Sequence, residues 1–200
     1  MTTDASRMAD FWADIERLPR DPERGDDPLF DGDGWDVSIV PRDGVTGAGR
    51  RMTVCQKGCA IDALLQSPAS ITGAIVRVPA LMGPERAAVF EQLVSWLSPS
   101  EVCFWADPDP LDALCFLRLR QHTGGVACRW LELPERYGGV EIPFVPVERR
   151  ILQLMVQHAV EAPVSALHRE RWARGVRIEL DSQVLRREWT AADVAELYGP

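Results

Sequence analysis

The 200 residues contain no run of about 18 apolar residues, which excludes a conventional membrane-spanning helix. The opening stretch MTTDASRMADFW lacks the basic start and apolar segment of a secretory signal, so a cytoplasmic protein is expected. Cysteine is sparse and odd in number: Cys55, Cys59, Cys103, Cys115 and Cys128 stand at irregular positions, mostly inside apolar runs. Free thiols in such runs behave as small hydrophobes, which argues for a reducing compartment and against a disulfide framework. Histidine is rarer still, with His122, His158 and His168 scattered and no nucleophile placed to pair with them. A surface or helix-cap role is expected for each. Bases are outnumbered, 22 against 30 acids, and the resulting net charge of −8 argues against a free-standing, nonspecific DNA binder.

What is present is an ordinary globular composition, 46% hydrophobic and 26% charged, in a length that suits one compact domain with an appendage. The charge is uneven. Residues 1–50 hold twelve acids and six bases, whereas residues 146–187 hold eight arginines against five acids. The second stretch reads either as a phosphate-meeting face or as a solvated helix surface, depending on whether its arginines share a side.

Three regions follow. Residues 1–50 read as an acidic, partly flexible segment, with a short amphipathic helix at Ala9–Leu18, a loop at Pro19–Gly34 and a short strand at Trp35–Val40. GVTGAG at 44–49 suggests a phosphate loop only superficially. It precedes a strand instead of joining a strand to a helix, and reads as a linker. Residues 51–135 alternate strand and helix signals: strands at Met52–Cys55, Gly73–Val78, Glu101–Ala106 and Val126–Leu133, and helices at Ala60–Gln66, from Pro84, and at Leu111–Arg120. That alternation predicts parallel pairing with crossover helices, hence an α/β, Rossmann-like, mainly parallel sheet flanked by helices. Residues 136–200 read as a helical C-terminal extension with helices at Glu148–Val160, Val164–Trp172 and from Thr190, and one short strand at Val176–Leu180. The tryptophans at 96, 105, 130, 172 and 189 read as core, not as a base-stacking platform.

The most informative stretch is EVCFWADPDPLDALCFLRLR, in which an apolar strand runs into Asp107 and Asp109 before a helix begins. Carboxyl ends of parallel strands face the ligand crevice, and two carboxylates one residue apart there suit Mg²⁺, a hard cation that prefers oxygen donors. Asp112 reads either as a third acid or as a residue favoured by the helix N-terminus. Asp is equally common in turns and caps, so the residue types alone leave metal and cap readings open.

The stretch FWADPDPLDALCFLRLRQHTGGVACRWLEL resembles the strand, acidic pair, helix and strand of Toprim domains. It is most similar to the branch that includes the Spo11 and topoisomerase VI A subunits and the nuclease subunit of Wadjet-type plasmid-defence systems. Phe104, Trp105, Ala106, Asp107, Asp109 and the helix to Arg118 follow that pattern, with Asp112 where a glycine is expected. Upstream, MTVCQKGCAIDALLQSPASITGAIVRV resembles the first Toprim strand and helix, with Gln56 at the place of the family's glutamate. Downstream, GVRIELDSQVLRREW resembles the terminal stretch of the Wadjet subunit, with Glu179 and Asp181 as the matching acids.

The resemblance implies a Mg²⁺ or Mn²⁺ centre acting on phosphodiester backbones, with Asp107 and Asp109 as catalytic metal ligands, supported by Glu179 or Asp181, and Gln56 at the position of the acid. Glutamine keeps size and hydrogen bonding but has neither the charge nor the basicity of glutamate. The expected function is therefore a DNA-processing or anti-plasmid defence protein with a nuclease-type site that Gln56 impairs unless another acid, such as Glu85, Asp112 or Glu179, is recruited. Arg169, Arg171, Arg174, Arg177, Arg186 and Arg187 are the phosphate-contact candidates, with DNA as partner and a further subunit assisting. The alternatives are a non-catalytic interaction subunit, or a Rossmann-like domain that binds a small ligand.

Overall fold

The computed structural model describes residues 4–18, 50–66, 73–78 and 81–198. The loop expected at Pro19–Gly34, the strand at Trp35–Val40 and the GVTGAG linker lie outside the described residues. Helix α1 (Asp4–Glu16) precedes β1 (Arg51–Cys55), α2 (Gly58–Gln66), β2 (Gly73–Arg77), α3 (Pro84–Leu97), β3 (Glu101–Trp105), α4 (Pro110–Gln121) and β4 (Ala127–Leu131). The C-terminal part adds β5 (Glu141–Pro143), α5 (Pro146–Gln157), α6 (Ala166–Ala173), β6 (Val176–Ile178), α7 (Leu180–Val184) and α8 (Ala191–Tyr198).

Strands β1 to β4 form one parallel sheet in the order β2-β1-β3-β4. The α/β architecture with a parallel sheet flanked by helices is thus as the alternation predicts. Side chains alternate between the two faces of a strand, and here they feed two separate cores. Met52, Val54, Ala74, Val76, Val102 and Phe104 join α1, α3, α4 and α5 on one face. Cys55, Ile75, Cys103 and Trp105 join α2, α7 and α8 on the other. Both faces of the sheet are covered, which is why its central strands read as continuous apolar runs.

Crossovers between parallel strands are right-handed, so reversing the direction of travel along the sheet moves the connecting helix to the other face. The step from β1 to β2 carries α2 on one face; the chain then returns over β1 through α3 to reach β3 on the far side. The direction reverses between β1 and β3, which are neighbours with Cys55 opposite Trp105. Gly73 opens β2 because a Cβ there would fall 1.6 Å from the Arg51 carbonyl oxygen.

The C-terminal extension is not simply helical. β5 and β6 pair antiparallel, with Ile142 opposite Arg177. The strand expected at Val176–Leu180 ends at Ile178, because Leu180 opens α7 and gives its backbone N–H to the Asp107 side chain at 2.7 Å. The histidines also differ from expectation in part. His122 and His158 sit at the C-caps of α4 and α5, but His168 is buried on α6 and is no surface residue.

Candidate metal site at the sheet switch point

In a doubly wound sheet the ligand crevice opens where the strand order reverses, outside the carboxyl ends of the strands. Here that point lies between β1 and β3. Gln56 and Lys57 follow β1, and Asp107 and Asp109 follow β3, so the topology delivers all four to one place.

Asp109 begins α4 as its N-cap: its Oδ1 accepts from the Asp112 backbone N–H at 2.8 Å, and Pro110 occupies the first helical turn, where its missing N–H costs nothing. Asp112, one turn in, reaches back to accept from the Asp107 N–H at 2.8 Å. With the Gln56 carboxamide oriented so that its nitrogen faces Asp112, it donates to both Asp112 oxygens. Asp107 accepts from Leu180 N–H through Oδ1 and faces two cations through Oδ2: Lys57 Nζ at 2.9 Å and an Arg177 terminal nitrogen at 3.2 Å. The cap and metal readings of these acids therefore describe one arrangement, since the residues that cap the turn also form the cluster.

Each of Asp107, Asp109 and Asp112 is no more than 6% exposed, and each offers an oxygen within 4.8 Å of those of the other two. Octahedral Mg²⁺ sits about 2.1 Å from each oxygen, which puts neighbouring ligands about 3.0 Å apart and opposite ones about 4.2 Å apart, so the three oxygens would draw together to close on an ion. All three donors are hard carboxylate oxygens with lone pairs beyond those used in hydrogen bonds. The residues fit a divalent cation.

The electrostatics point the same way. Burial, together with the charges of Asp107 and Glu148, raises the Asp109 pKa to about 7. Burial and the neighbouring Asp109 and Asp107 raise that of Asp112 well above the carboxylate range. Glu148, on α5, is buried and also raised; its carboxylate is ion-paired with Arg177, Oε1 lying 2.8 Å from Nε, and accepts from Val145 N–H at 2.8 Å. Burial disfavours the charge on Lys57 and Arg177, but the carboxylates around them outweigh it and hold both pKa values above normal. No thiol beside the site is a nucleophile at neutral pH: burial, with Asp181 adding to it, pushes Cys59 up to about 12, and burial also raises Cys115.

The residues named from the sequence separate into groups. Asp107, Asp109 and Gln56 come together, with Asp112 as third acid. Glu179 and Asp181 stand at the rim and reach Asp107 through cations: Glu179 lies 3.6 Å from Arg177, and Asp181 lies 3.1 Å from Lys57. Glu85 is exposed in the first turn of α3, apart from this group.

The arginines differ in their surroundings. Arg177 is inside the cluster, paired with Asp107, Asp109, Glu148 and Glu179. Arg171 and Arg174 are held by Glu141, and Arg187 pairs with Asp193 and lies over the Tyr137 ring. Arg169 and Arg186 are exposed.

Two members of the site escape sequence reasoning, Lys57 and Glu148. Lys57 had a local signal, since it follows Gln56 at the strand end. Glu148 had none, because its helix lies some 40 residues beyond the acidic pair and its spacing after Pro146 reads as a helix start.

The fold and the site define an α/β domain with a buried triad of carboxylates, able to hold a metal ion, at the switch point of a parallel sheet. Comparisons with family models, with curated proteins and with solved structures give no match to this chain. Among the described residues, no helix is long and apolar enough to cross a membrane.

Proposed function

We propose that this chain is a Toprim-like DNA-processing or anti-plasmid defence protein whose Asp107, Asp109 and Asp112 take Mg²⁺ or Mn²⁺ beside a phosphodiester backbone. The observation that carries this reading is the meeting of Gln56 and Lys57 with the acidic turn across the β1–β3 switch point. The resemblance calls for residue 56 beside the Asp107–Asp109 turn, and β1 and β3 are neighbours in the sheet. A bound divalent cation would polarise a phosphoryl oxygen and lower the pKa of a coordinated water. Asp107, Asp109 and Asp112 would hold the ion, Asp112 also fixing their turn, and Arg177 would offset the excess of buried negative charge. Gln56 supplies a donor where the family has an acid, so cleavage by the unaltered chain is slow or absent.

Incubating the full chain with supercoiled plasmid and Mg²⁺ or Mn²⁺ tests this. Nicking is expected to rise in Gln56→Glu and to vanish in Asp107→Ala; cleavage that persists unchanged in Asp107→Ala refutes the assignment.

A second reading, a non-catalytic interaction subunit of a larger complex, is favoured by one observation. The Gln56 carboxamide lies against the Asp112 carboxyl and, with its nitrogen turned to that acid, donates to it where a glutamate would add a further buried carboxylate. DNA bound without cutting by both the parent chain and Gln56→Glu would support it.

A further inference from the structure

Of the 22 basic residues in the chain, 21 are arginine, and the single lysine is Lys57. Its ammonium bridges Asp107 Oδ2 at 2.9 Å and Asp181 Oδ2 at 3.1 Å, with the side chain 25% exposed. Arginine and lysine are not equivalent at such a place. A guanidinium is a rigid fork that binds carboxylates in fixed geometry, as Arg177 does with Glu148 and Asp107 here, whereas an ammonium is a compact charge on a flexible stem that can change partners by rotation.

The two carboxylates that Lys57 bridges differ in kind. Asp107 is buried inside the triad, while the Asp181 side chain is 44% exposed at the rim and is also held by the Cys59 thiol at 2.6 Å. Lys57 therefore has one partner in the cation seat and one outside it. Retreat from Asp107 leaves the ammonium paired with Asp181 and near solvent.

Resting on the metal reading of the triad, we infer that Lys57 is a displaceable internal cation that gates metal entry. It neutralises Asp107 when the site lacks an ion, and yields that carboxylate to a divalent cation by withdrawing to Asp181. A divalent cation at Asp107 and an ammonium 2.9 Å from the same oxygen repel each other, so the two occupancies compete. Two ligands that exclude each other are linked by a coupling free energy that reads out as a change in affinity. Asp181 is then the parking partner that makes the exchange inexpensive, and its contribution to metal binding acts wholly through Lys57.

The test is a Mn²⁺ titration of the full chain by electron paramagnetic resonance or calorimetry, independent of any cleavage assay. Lys57→Met is expected to bind Mn²⁺ at least about fivefold more tightly than the parent chain, and Asp181→Asn more weakly by a similar factor. In the Lys57→Met background, Asp181→Asn is expected to change nothing, because the residue it parks is gone. Should Lys57→Met fail to fold, as judged by circular dichroism, Lys57→Gln carries the same comparison.

Unchanged or weaker Mn²⁺ binding in the Lys57 variant, with binding still abolished by Asp107→Asn, overturns the gate and leaves the metal site standing. So does an Asp181→Asn effect that persists without Lys57. Mn²⁺ binding insensitive to Asp107→Asn, or absent throughout, overturns the metal reading itself and the gate with it.

Discussion

The Trp172 indole nitrogen donates a 2.9 Å hydrogen bond to the carbonyl of Pro108, the residue between the two acids of the metal-site turn. Trp172 is 3% exposed on α6, so the C-terminal extension braces the Asp107–Asp109 turn from below while Leu180 N–H holds Asp107 from the side.

Trp172→Phe keeps an aromatic in the core and removes the donor, which leaves the buried Pro108 carbonyl without that bond. A loss of about 1–3 kcal/mol is expected in urea unfolding, together with weaker Mn²⁺ binding as the turn loosens. Unfolding of the variant that matches the parent chain in both respects would show that α6 plays no part in positioning the acids.

Arg177→Met should be the most destabilising single change at the site. The guanidinium contacts Asp107, Glu148, Asp109 and Glu179, the first three nearly inaccessible to water. Removing one partner of a buried ionic cluster strands the others, at a cost of about 3–5 kcal/mol. Because Asp109 and Glu148 have raised pKa values, acid neutralises the stranded carboxylates, so the deficit should shrink as the pH falls from 8 towards 5. Urea titrations of both chains across that range check the sign; a deficit that grows on acidification contradicts the assignment.

The sheet was legible because each of its strands is locally self-declaring. β1, β2, β3 and β4 are apolar runs of five residues separated by helical periodicity, and the structure places them within two residues of the expected positions. β5 was invisible because it is three residues long, contains Pro143, and exists only through its pairing with β6. Leu180, the first residue of α7, reads as the end of a strand because Val176, Ile178 and Leu180 form an apolar alternation that ends only when Leu180 N–H turns to Asp107. At the site, the acidic pair and Gln56 were legible as strand-end residues. Arg177 looked like a surface phosphate contact because nothing local reveals that the β5–β6 hairpin carries it into the cluster.

Together with Asp112, Asp109 contributes to the pH dependence of metal binding. Its pKa in the folded chain is raised to about 7 from an ordinary value of 3.8. A carboxylate ligand must be deprotonated, so Mn²⁺ affinity should rise as pH increases through about 7, with Asp112, whose pKa is also raised, adding to the rise. The folding linkage has the opposite sense. An acid whose pKa is raised on folding favours the folded state below its unfolded value, and that support fades as pH rises towards the folded value. Asparagine caps helices as well as aspartate does, so Asp109→Asn should keep α4 intact. It should gain stability relative to the parent chain between pH 4 and about 7, and lose most Mn²⁺ binding. Thermal melts at pH 4, 6 and 8 alongside calorimetry at pH 6 and 8 separate the two effects; a parent-to-variant difference that does not vary with pH would remove Asp109 as a titrating ligand.

Gln56→Glu exposes what the glutamine does for the unloaded site. Gln56 is 9% exposed, and its amide nitrogen donates to Asp112, itself buried with its pKa already raised. A glutamate there replaces a donor with an acceptor, setting two carboxyl groups face to face where charge repulsion and burial both oppose ionisation. Without divalent cation the variant should be less stable by about 1–3 kcal/mol at pH 8, and acid should restore it because a shared proton substitutes for the lost amide. Mg²⁺ should restore it too. A ligand that binds only the folded state stabilises it in proportion to occupancy, and the added carboxylate gives the ion one more hard donor. Melting curves with and without Mg²⁺ read this directly: the variant's midpoint should rise with Mg²⁺ by more than the parent's. An equal rise in both chains would mean that residue 56 does not face the ion, and the centre would then be no closer to a Toprim arrangement with glutamate than with glutamine.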